Sequence, residues 1–463
     1  MKKHSKGPAE EAFRTIRQNG LWMFGLWAPQ VWASWAIGRS PAIPSLWVIL
    51  YYSLSLALVT AAILFYKKQK QANAPLWLDV AMTILMTLAT AWMGWASAAA
   101  FPLALTGATA LGAIGLGWCY LRWSSYYSRI SLQDALVCIA GAIVIGSLIK
   151  VVLSFLPADF RTAFAVCLPF FSLLMSKHAR ANIPPTSTDP PLRFCPDNVI
   201  QLWRVIAGVG AYSLVIGFLT NAATEPSSRL ASVGTHVIEI GVSLLLVYWV
   251  VLKQRNLRFP QIWKTVMLFL STAILLLLIF GPTAESVAMP VVGLSQTLTV
   301  MVLWLALSDI ARHSTLHPWV VFGAGWTAYA FPLALGSQIS QAAYAYSGRT
   351  AMLAVIAYIA SLAMAYLIDA QGELPQRIFS DLRRTVVPDD YSLIDERCER
   401  LGKANGLTKR EIEITQQLSK GKSKSSVAEA LFITENTVRD HTRHIYSKLH
   451  IHSKHELQDL LHI

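Results

Sequence analysis

The chain has 463 residues, 54% hydrophobic and only 14% charged, with a mean hydropathy of +0.45. Soluble globular chains carry about 25% charged residues, so this composition excludes a protein folded wholly in water. The net charge is +13, but +12 of it belongs to residues 1–370, so overall basicity is no argument for nucleic-acid binding.

The basic N-terminus (Lys2, Lys3, Lys6, Arg14, Arg17) runs into an apolar stretch without a small-residue cleavage site, which reads as an uncleaved first membrane segment. A membrane helix needs about 20 mainly apolar residues, because it rises about 1.5 Å per residue through about 30 Å of hydrocarbon. Twelve stretches qualify: 20–38, 45–66, 77–95, 97–121, 132–156, 160–176, 199–219, 233–252, 261–281, 287–308, 318–337 and 350–369. Pro29, Pro169 and Pro332 interrupt three of them. The intervening loops alternate in charge. One side collects 18 Lys and Arg, including Lys67, Lys68, Arg122, Arg129, Lys177, Arg180 and Arg312; the other has four, Arg39, Arg161, Arg229 and Arg349. By the positive-inside rule both termini are expected in the cytoplasm, in a multi-pass protein of the cell membrane.

The longest loop, 177–198, is rich in Pro and divides the segments six plus six. This layout resembles that of major-facilitator transporters, although the loop Lys67-Lys-Gln-Lys-Gln-Ala-Asn73 lacks that family's Gly-and-Asp/Arg signature. The hexapeptide Ala-Phe-Pro-Leu-Ala-Leu occurs at 100–105 and again at 330–335, in segments that a six-plus-six duplication would not pair. Ionisable residues at membrane depth are costly and point to function. Lys150 lies in segment five, while His236 and Glu239, three apart, share a face of segment eight. With Trp32 and Trp35 they suggest an outward-open pocket for an unknown small molecule. Interfacial snorkelling and interhelical hydrogen bonding are the competing reading of the same residues.

Composition changes abruptly at Gln371. Residues 371–402 read as a charged linker, with a short helix over 389–403. There is no room for a receiver, kinase or nucleotide-binding domain, so the input must come through residues 1–370 or a partner. The five Cys are isolated and no metal site is expected. The histidines His450, His452, His455 and His462 lack acidic or Cys partners at ligand spacing. No cofactor is expected, and with no nucleophile–base set or phosphate loop the chain does not read as an enzyme.

Residues 403–463 read as four short helices. Thr408 with Glu411 and Ser453 with Glu456 form S/T-x-x-E capping boxes. Ser423 and Thr434 are N-cap residues and Gly421 a helix terminator. Ile412, Val427, Leu431, Ile433, Val438, Ile445, Leu449 and Leu457 recur at helical spacing. A helix over 424–431, a turn over 432–434 and a helix over 435–449 make a helix-turn-helix, whose second helix enters the DNA major groove.

Over 406–460 this region resembles the LuxR-type helix-turn-helix of bacterial transcription regulators. The resemblance rests on Leu407-Thr408, Arg410-Glu411, Gly421, Ser423, Val427-Ala428, Leu431, Ile433, Thr437-Val438, His441, Ile445-Tyr446, Lys448-Leu449, Ser453 and Glu456-Leu457. Departures at Lys424-Ser425-Ser426, His444 and His450 leave the core positions intact. The resemblance puts the groove-reading positions at Arg439, Asp440 and Arg443. Asn436 shares the face of the two arginines. Arginine suits guanine edges and an acid can accept from cytosine. Lys424, Thr437, His441 and Lys448 are the expected phosphate contacts.

The resemblance further implies double-stranded DNA as partner, a homodimer through 454–461, and RNA polymerase as a further partner. A LuxR-type head behind about a dozen membrane segments resembles the layout of a group of bacterial regulators, as does the Ser40-Pro41-Ala-Ile-Pro44 turn. The fold expected is all-α: a polytopic bundle of about 12 helices over 1–370, the linker, then the small domain. The function expected is a membrane-embedded transcription regulator; the alternative is a transporter-like protein with a coupled regulatory head.

Overall fold

The computed structural model describes residues 20–37, 45–68, 74–98, 101–183, 194, 203–222, 229–253, 259–280, 285–343, 379, 390–419, 424–431, 433–449, 451, 453, 456–457 and 460. Among these residues every regular element is helical. One isolated bridge pairs Phe194 with Ser314. The chain divides into two compact units, Met1–Arg383 and Arg384–Ile463.

After a 3₁₀ turn at Gly20–Phe24, the first unit runs through α1 (Trp27–Ile37), α2 (Ser45–Phe65), α3 (Leu76–Ala98), α4 (Pro102–Tyr127), α5 (Leu132–Ser154) and α6 (Ala158–Ala181). It continues through α7 (Trp203–Ala222), α8 (Arg229–Val247, extended by a π turn at Tyr248–Leu252), α9 (Phe259–Phe280), α10 (Glu285–Arg312) and α11 (Pro318–Ala343). Eight of the described helices are long and apolar enough to cross a membrane. Their outward faces, and those of their neighbours, carry exposed Leu56, Ile63, Leu88, Leu103, Leu244 and Leu275, a surface suited to lipid and hostile to water. The protein is a multi-pass membrane protein. The segment expected at 350–369 lies outside the described residues. So do Gly421, Ser423 and the histidines His450, His452, His455 and His462.

Within the bundle α1, α2, α3, α4, α5 and α6 pack among themselves, as do α7, α8, α9, α10 and α11. The two groups meet along α2–α11, α4–α11, α5–α8 and α5–α10. A helix bonds most of its backbone groups internally, the condition for crossing hydrocarbon, and Pro169, Pro290 and Pro332 inside α6, α10 and α11 are tolerated where neighbouring helices pack on them. Hydroxyls are satisfied locally as well: Thr83, Thr90, Thr109 and Thr299 each bond the carbonyl four residues back. The repeated hexapeptide occupies two different settings. Phe101 is the N-cap of α4 with Pro102 opening the helix, whereas Phe331 and Pro332 lie inside α11. Proline at the first helical position costs no hydrogen bond, whereas inside a helix it removes one.

Several expected boundaries shift. The segment expected at 160–176 runs to Ala181, so Lys177 and Arg180, counted as loop charges, are helical, and the one expected to end at residue 337 runs to Ala343. The helix expected to end at residue 121 continues to Tyr127. Arg122, counted above as a loop charge, is therefore helical and buried. Arg312, also counted to a loop, is the last residue of α10, and its guanidinium donates to the Ile130 carbonyl.

The second unit comprises α12 (Asp390–Ala404), α13 (Lys409–Ser419), α14 (Lys424–Leu431) and α15 (Glu435–Leu449), with Glu456, Leu457 and Leu460 also helical. Its core is Cys398, Leu407, Ile414, Leu418, Val427, Val438, Ile445, Leu449 and Leu457. The charged stretch expected as linker thus supplies α12 to this unit, because Cys398 and Leu401 give it an apolar face to bury.

Among the described glycines, the closest approaches between helices join α7 and α11. A β-carbon on Gly217 would lie 1.9 Å from the Leu333 carbonyl oxygen, and one on Gly336 would lie 1.9 Å from that of Leu214. Small residues let membrane helices touch backbone to backbone. Gly336→Val should destabilise the bundle by about 3 kcal/mol, the upper end for overpacking, and lower its melting temperature in detergent. Gly234→Ala, where a β-carbon meets nothing within 4 Å, should be near neutral. Equal melting temperatures for the two variants would remove this contact from the fold's determinants.

Candidate functional site

The head is built outward from its caps. The Thr408 amide donates to Glu411 Oε2 at 2.7 Å, and the Glu411 amide to Thr408 Oγ1 at 3.2 Å, a closed capping box at the start of α13. Thr434 Oγ1 accepts from the Thr437 amide at 3.2 Å and starts α15. The Glu456 amide donates to Ser453 Oγ at 3.1 Å. Val427 and Ala428 of α14 and Val438, Ile445 and Leu449 of α15 are buried, which fixes the turn between these helices.

With that face of α15 committed to the core, the opposite face is set free. Asn436, Arg439, Asp440 and Arg443 are exposed, and Thr437 and His441 half-buried. Arg439 is held only by an exposed pairing with Glu435 at 3.4 Å, a contact of small energetic weight. An open groove beside them is lined by Lys424, Arg439, Thr442, Arg443, Tyr446, Ser447 and Ile451. Tyr446, Ser447 and Ile451 carry no groove signal in the sequence. Their positions, three to eight residues beyond Arg443 along the chain, are visible only once the exit of α15 is known.

Lys448 behaves differently from the phosphate contact expected of it. Its ammonium donates to Glu411 Oε2 at 2.8 Å and to the Gly406 carbonyl at 3.2 Å. It ties α15 to the capping box of α13. Burial alone would raise the Glu411 carboxyl, but the bond from Lys448 and the Thr408 amide and hydroxyl outweigh it and hold the group below its ordinary value of 4.5.

In the membrane unit the structure brings Lys150, His236 and Glu239 together. Glu239 Oε2 accepts from Ser147 Oγ at 2.7 Å and Lys150 Nζ at 3.2 Å, and lies 2.9 Å from His236 Nδ1. Oε1 accepts from Thr297 Oγ1 at 2.7 Å. Four side chains from α5, α8 and α10 thus surround one buried carboxylate. Ser147 is one helical turn before Lys150, a signal present in the sequence; Thr297 carries none. Trp32 is engaged elsewhere: its Nε1 donates to Thr90 Oγ1 at 2.8 Å, and its ring covers Gly112. Trp35 is half-buried, its ring 6.5 Å from that of Trp32.

A second buried ion pair is not evident from the sequence. Arg122 Nη2 lies 2.7 Å from Asp79 Oδ2, and Trp118 Nε1 donates to Asp79 Oδ1 at 3.1 Å. Asp79, a lone acid in an apolar run, is the available signal. Among the described residues no group of His, Cys, Asp and Glu is arranged to hold a metal ion.

A helix-turn-helix with an exposed basic recognition face, on a chain that also crosses a membrane many times, defines the class: a membrane protein with a DNA-binding head. Residues 405–461 match the family described as bacterial regulatory proteins, luxR family (GerE), so the C-terminal domain is a LuxR-type DNA-binding domain. The chain is 36% identical over 85 residues to a nitrate/nitrite response regulator protein homolog of Haemophilus influenzae. That match takes in 18% of this chain and 36% of the relative. The chain therefore spans about a third of that relative's length.

Among solved structures, 79% of the chain overlays all of the human organic anion transporter MFSD10 (TETRAN), with TM-score 0.49 and 14% identity. The same share overlays 99% of a variant of the E. coli fucose:proton symporter FucP, with TM-score 0.45 and 14% identity.

Two stability outcomes follow from these geometries. Folding favours ionised Glu411, so its contribution is present above pH 4.5 and is lost as pH falls through the depressed value. Acid titration of head unfolding should show this loss, and Glu411→Gln should flatten it; an unchanged acid limb in the variant would refute the assignment. Asp79→Asn strands a buried guanidinium and should cost about 3–5 kcal/mol, with Asp79→Asn/Arg122→Met losing less in detergent melting. A double variant no better than the single one would show that the pair is not coupled.

Proposed function

We propose that this protein is a membrane-embedded bacterial transcription regulator. The head reads promoter DNA, and the helical unit serves as sensor of a ligand or of the membrane state. The observation that carries the reading is the exposed face of α15, with Asn436, Arg439, Asp440 and Arg443 free of the core and the matched family behind them. Arg439 and Arg443 are the groove readers, and Asn436 and Asp440 flank them. Lys424, Thr437 and His441 contact phosphate. Both termini lie in the cytoplasm, a reading that the bias of the loop charges supports. Two heads, paired through 454–461, occupy half-sites about one helical turn apart and work with RNA polymerase.

The small-molecule input is assigned to the cluster of Lys150, His236 and Glu239. The same buried charges support a second reading, a transporter-like protein with a coupled head. Uptake of labelled solutes into vesicles separates the two: accumulation dependent on Glu239 favours the transporter.

The regulator reading is tested with genomic fragments selected by the full-length protein in lipid nanodiscs. A bidentate arginine–guanine contact is worth about 1–3 kcal/mol, so Arg439→Ala/Arg443→Ala should weaken specific binding at least about thirty-fold. Lys448→Ala should instead lower the head's melting temperature. Specific binding that survives loss of both arginines sinks the groove assignment.

A further inference from the structure

Phe379 stands apart from the rest of the membrane unit. It is fully buried in the apolar core of that unit, yet its φ is +68°. A β-carbon disfavours this left-handed conformation, and such a residue persists only where its surroundings over-determine it. Its surroundings do. The Phe379 amide donates to Asp309 Oδ2 at 3.0 Å, and Asp309 Oδ1 lies 3.6 Å from His313 Nε2, with both side chains buried. One turn on, Phe194 is also fully buried, and its amide donates to the His313 carbonyl at 3.2 Å. The C-terminal end of α10 therefore gathers a phenylalanine from each of two connecting regions. Phe379 lies five residues before Arg384, where the head's compact unit begins.

The same helix carries Thr297, which donates to Glu239. Thr297 and Asp309 are twelve residues apart on α10, about 18 Å along one continuous rod. Most of that rod is buried in the bundle. A packed helix shifts as a unit rather than deforming locally. A change in the bonding of Glu239 thus has a direct physical connection to the site that holds Phe379.

We infer that Phe379, seated on Asp309, is the strap by which the membrane unit holds the chain leading to the head, and that α10 couples this seat to the cluster around Glu239. The inference rests on the regulator reading above and supplies its missing link, from the charged cluster to the head.

The test is hydrogen exchange by mass spectrometry on the full-length protein in lipid nanodiscs, without DNA. Peptides spanning Phe379 report the seat directly, because its amide is the bonded group. Phe379→Ala and Asp309→Ala should speed exchange there at least about tenfold, with protection in α13 and α15 retained. Glu239→Gln, and the milder Thr297→Val, should shift exchange in the same peptides although neither residue touches Phe379. Unchanged exchange in Phe379→Ala and Asp309→Ala overturns the strap. Unchanged exchange at the seat in a folded Glu239→Gln or Thr297→Val protein overturns the coupling. Since no DNA enters the measurement, a failure of the groove assignment is read separately, from the Arg439/Arg443 variants.

Discussion

Inside a bundle that faces lipid, a polar group has no water to fall back on, and a charge left unpaired costs several kcal/mol. Much of the placement in the membrane unit answers to that constraint. The Glu239 carboxyl is accommodated between α5, α8 and α10 because Ser147, Lys150, His236 and Thr297 converge on its two oxygens. Arg122 and Asp79 do the same for α3 and α4, with Trp118 as the third member. The Glu239 cluster ties helices distant in sequence, α5 to α8 and α10, while the Asp79 cluster fastens the consecutive α3 and α4, so the cost of burying charge becomes a means of fixing how helices pack. Lipid-facing positions, by contrast, need only be apolar, and they carry little information about packing.

The head obeys the opposite rule. In water, exposed ion pairs such as Arg439–Glu435 contribute little, and order comes from caps and a small core. Glu411 combines the two roles. It closes the capping box of α13 and at the same time receives Lys448 from α15, so one carboxylate both starts a helix and fastens the recognition helix to it. Lys448 is thereby committed to a contact within the head. Asn436, Arg439, Asp440 and Arg443 are left exposed on α15, as the proposed groove reading requires.

The sequence makes some of this plain and hides the rest, for physical reasons. Helical periodicity and S/T-x-x-E spacing are local properties, so α14, the turn and α15 can be bounded from residues alone; the box at Thr408 closes as expected, and at Ser453 the N-cap bond from the Glu456 amide forms. His236 and Glu239 pair on spacing alone because both lie within one helix. The approach of Lys150 from α5 depends on helix packing, and so does the bond from Thr297. Arg122 reads as a loop residue because an apolar run has no sharp end: the helix passes residue 121 once Asp79 is available to neutralise the arginine. Lys448 reads as a phosphate contact because its motif position is exposed, while its acceptor lies 37 residues earlier and is found only by tertiary structure. Phe379 carries no local signal at all. A phenylalanine in a charged stretch is unremarkable until the seat at Asp309 is known.

The distribution of charge bears on how such a head works. Within 403–454 ten Lys and Arg face five Asp and Glu, a modest excess, and one of the lysines is held by Glu411. A head with few phosphate contacts binds weakly and releases few counterions. Two heads joined on adjacent half-sites gain from the second being held near its site, where effective concentration replaces affinity. Weak single-head binding is then what makes regulation possible, since a change of about 1.4 kcal/mol in pairing or availability alters occupancy about tenfold. A strongly basic head would hold DNA regardless of the state of the membrane unit; under the proposed regulator reading, the modest charge excess of this head leaves room for that unit to decide.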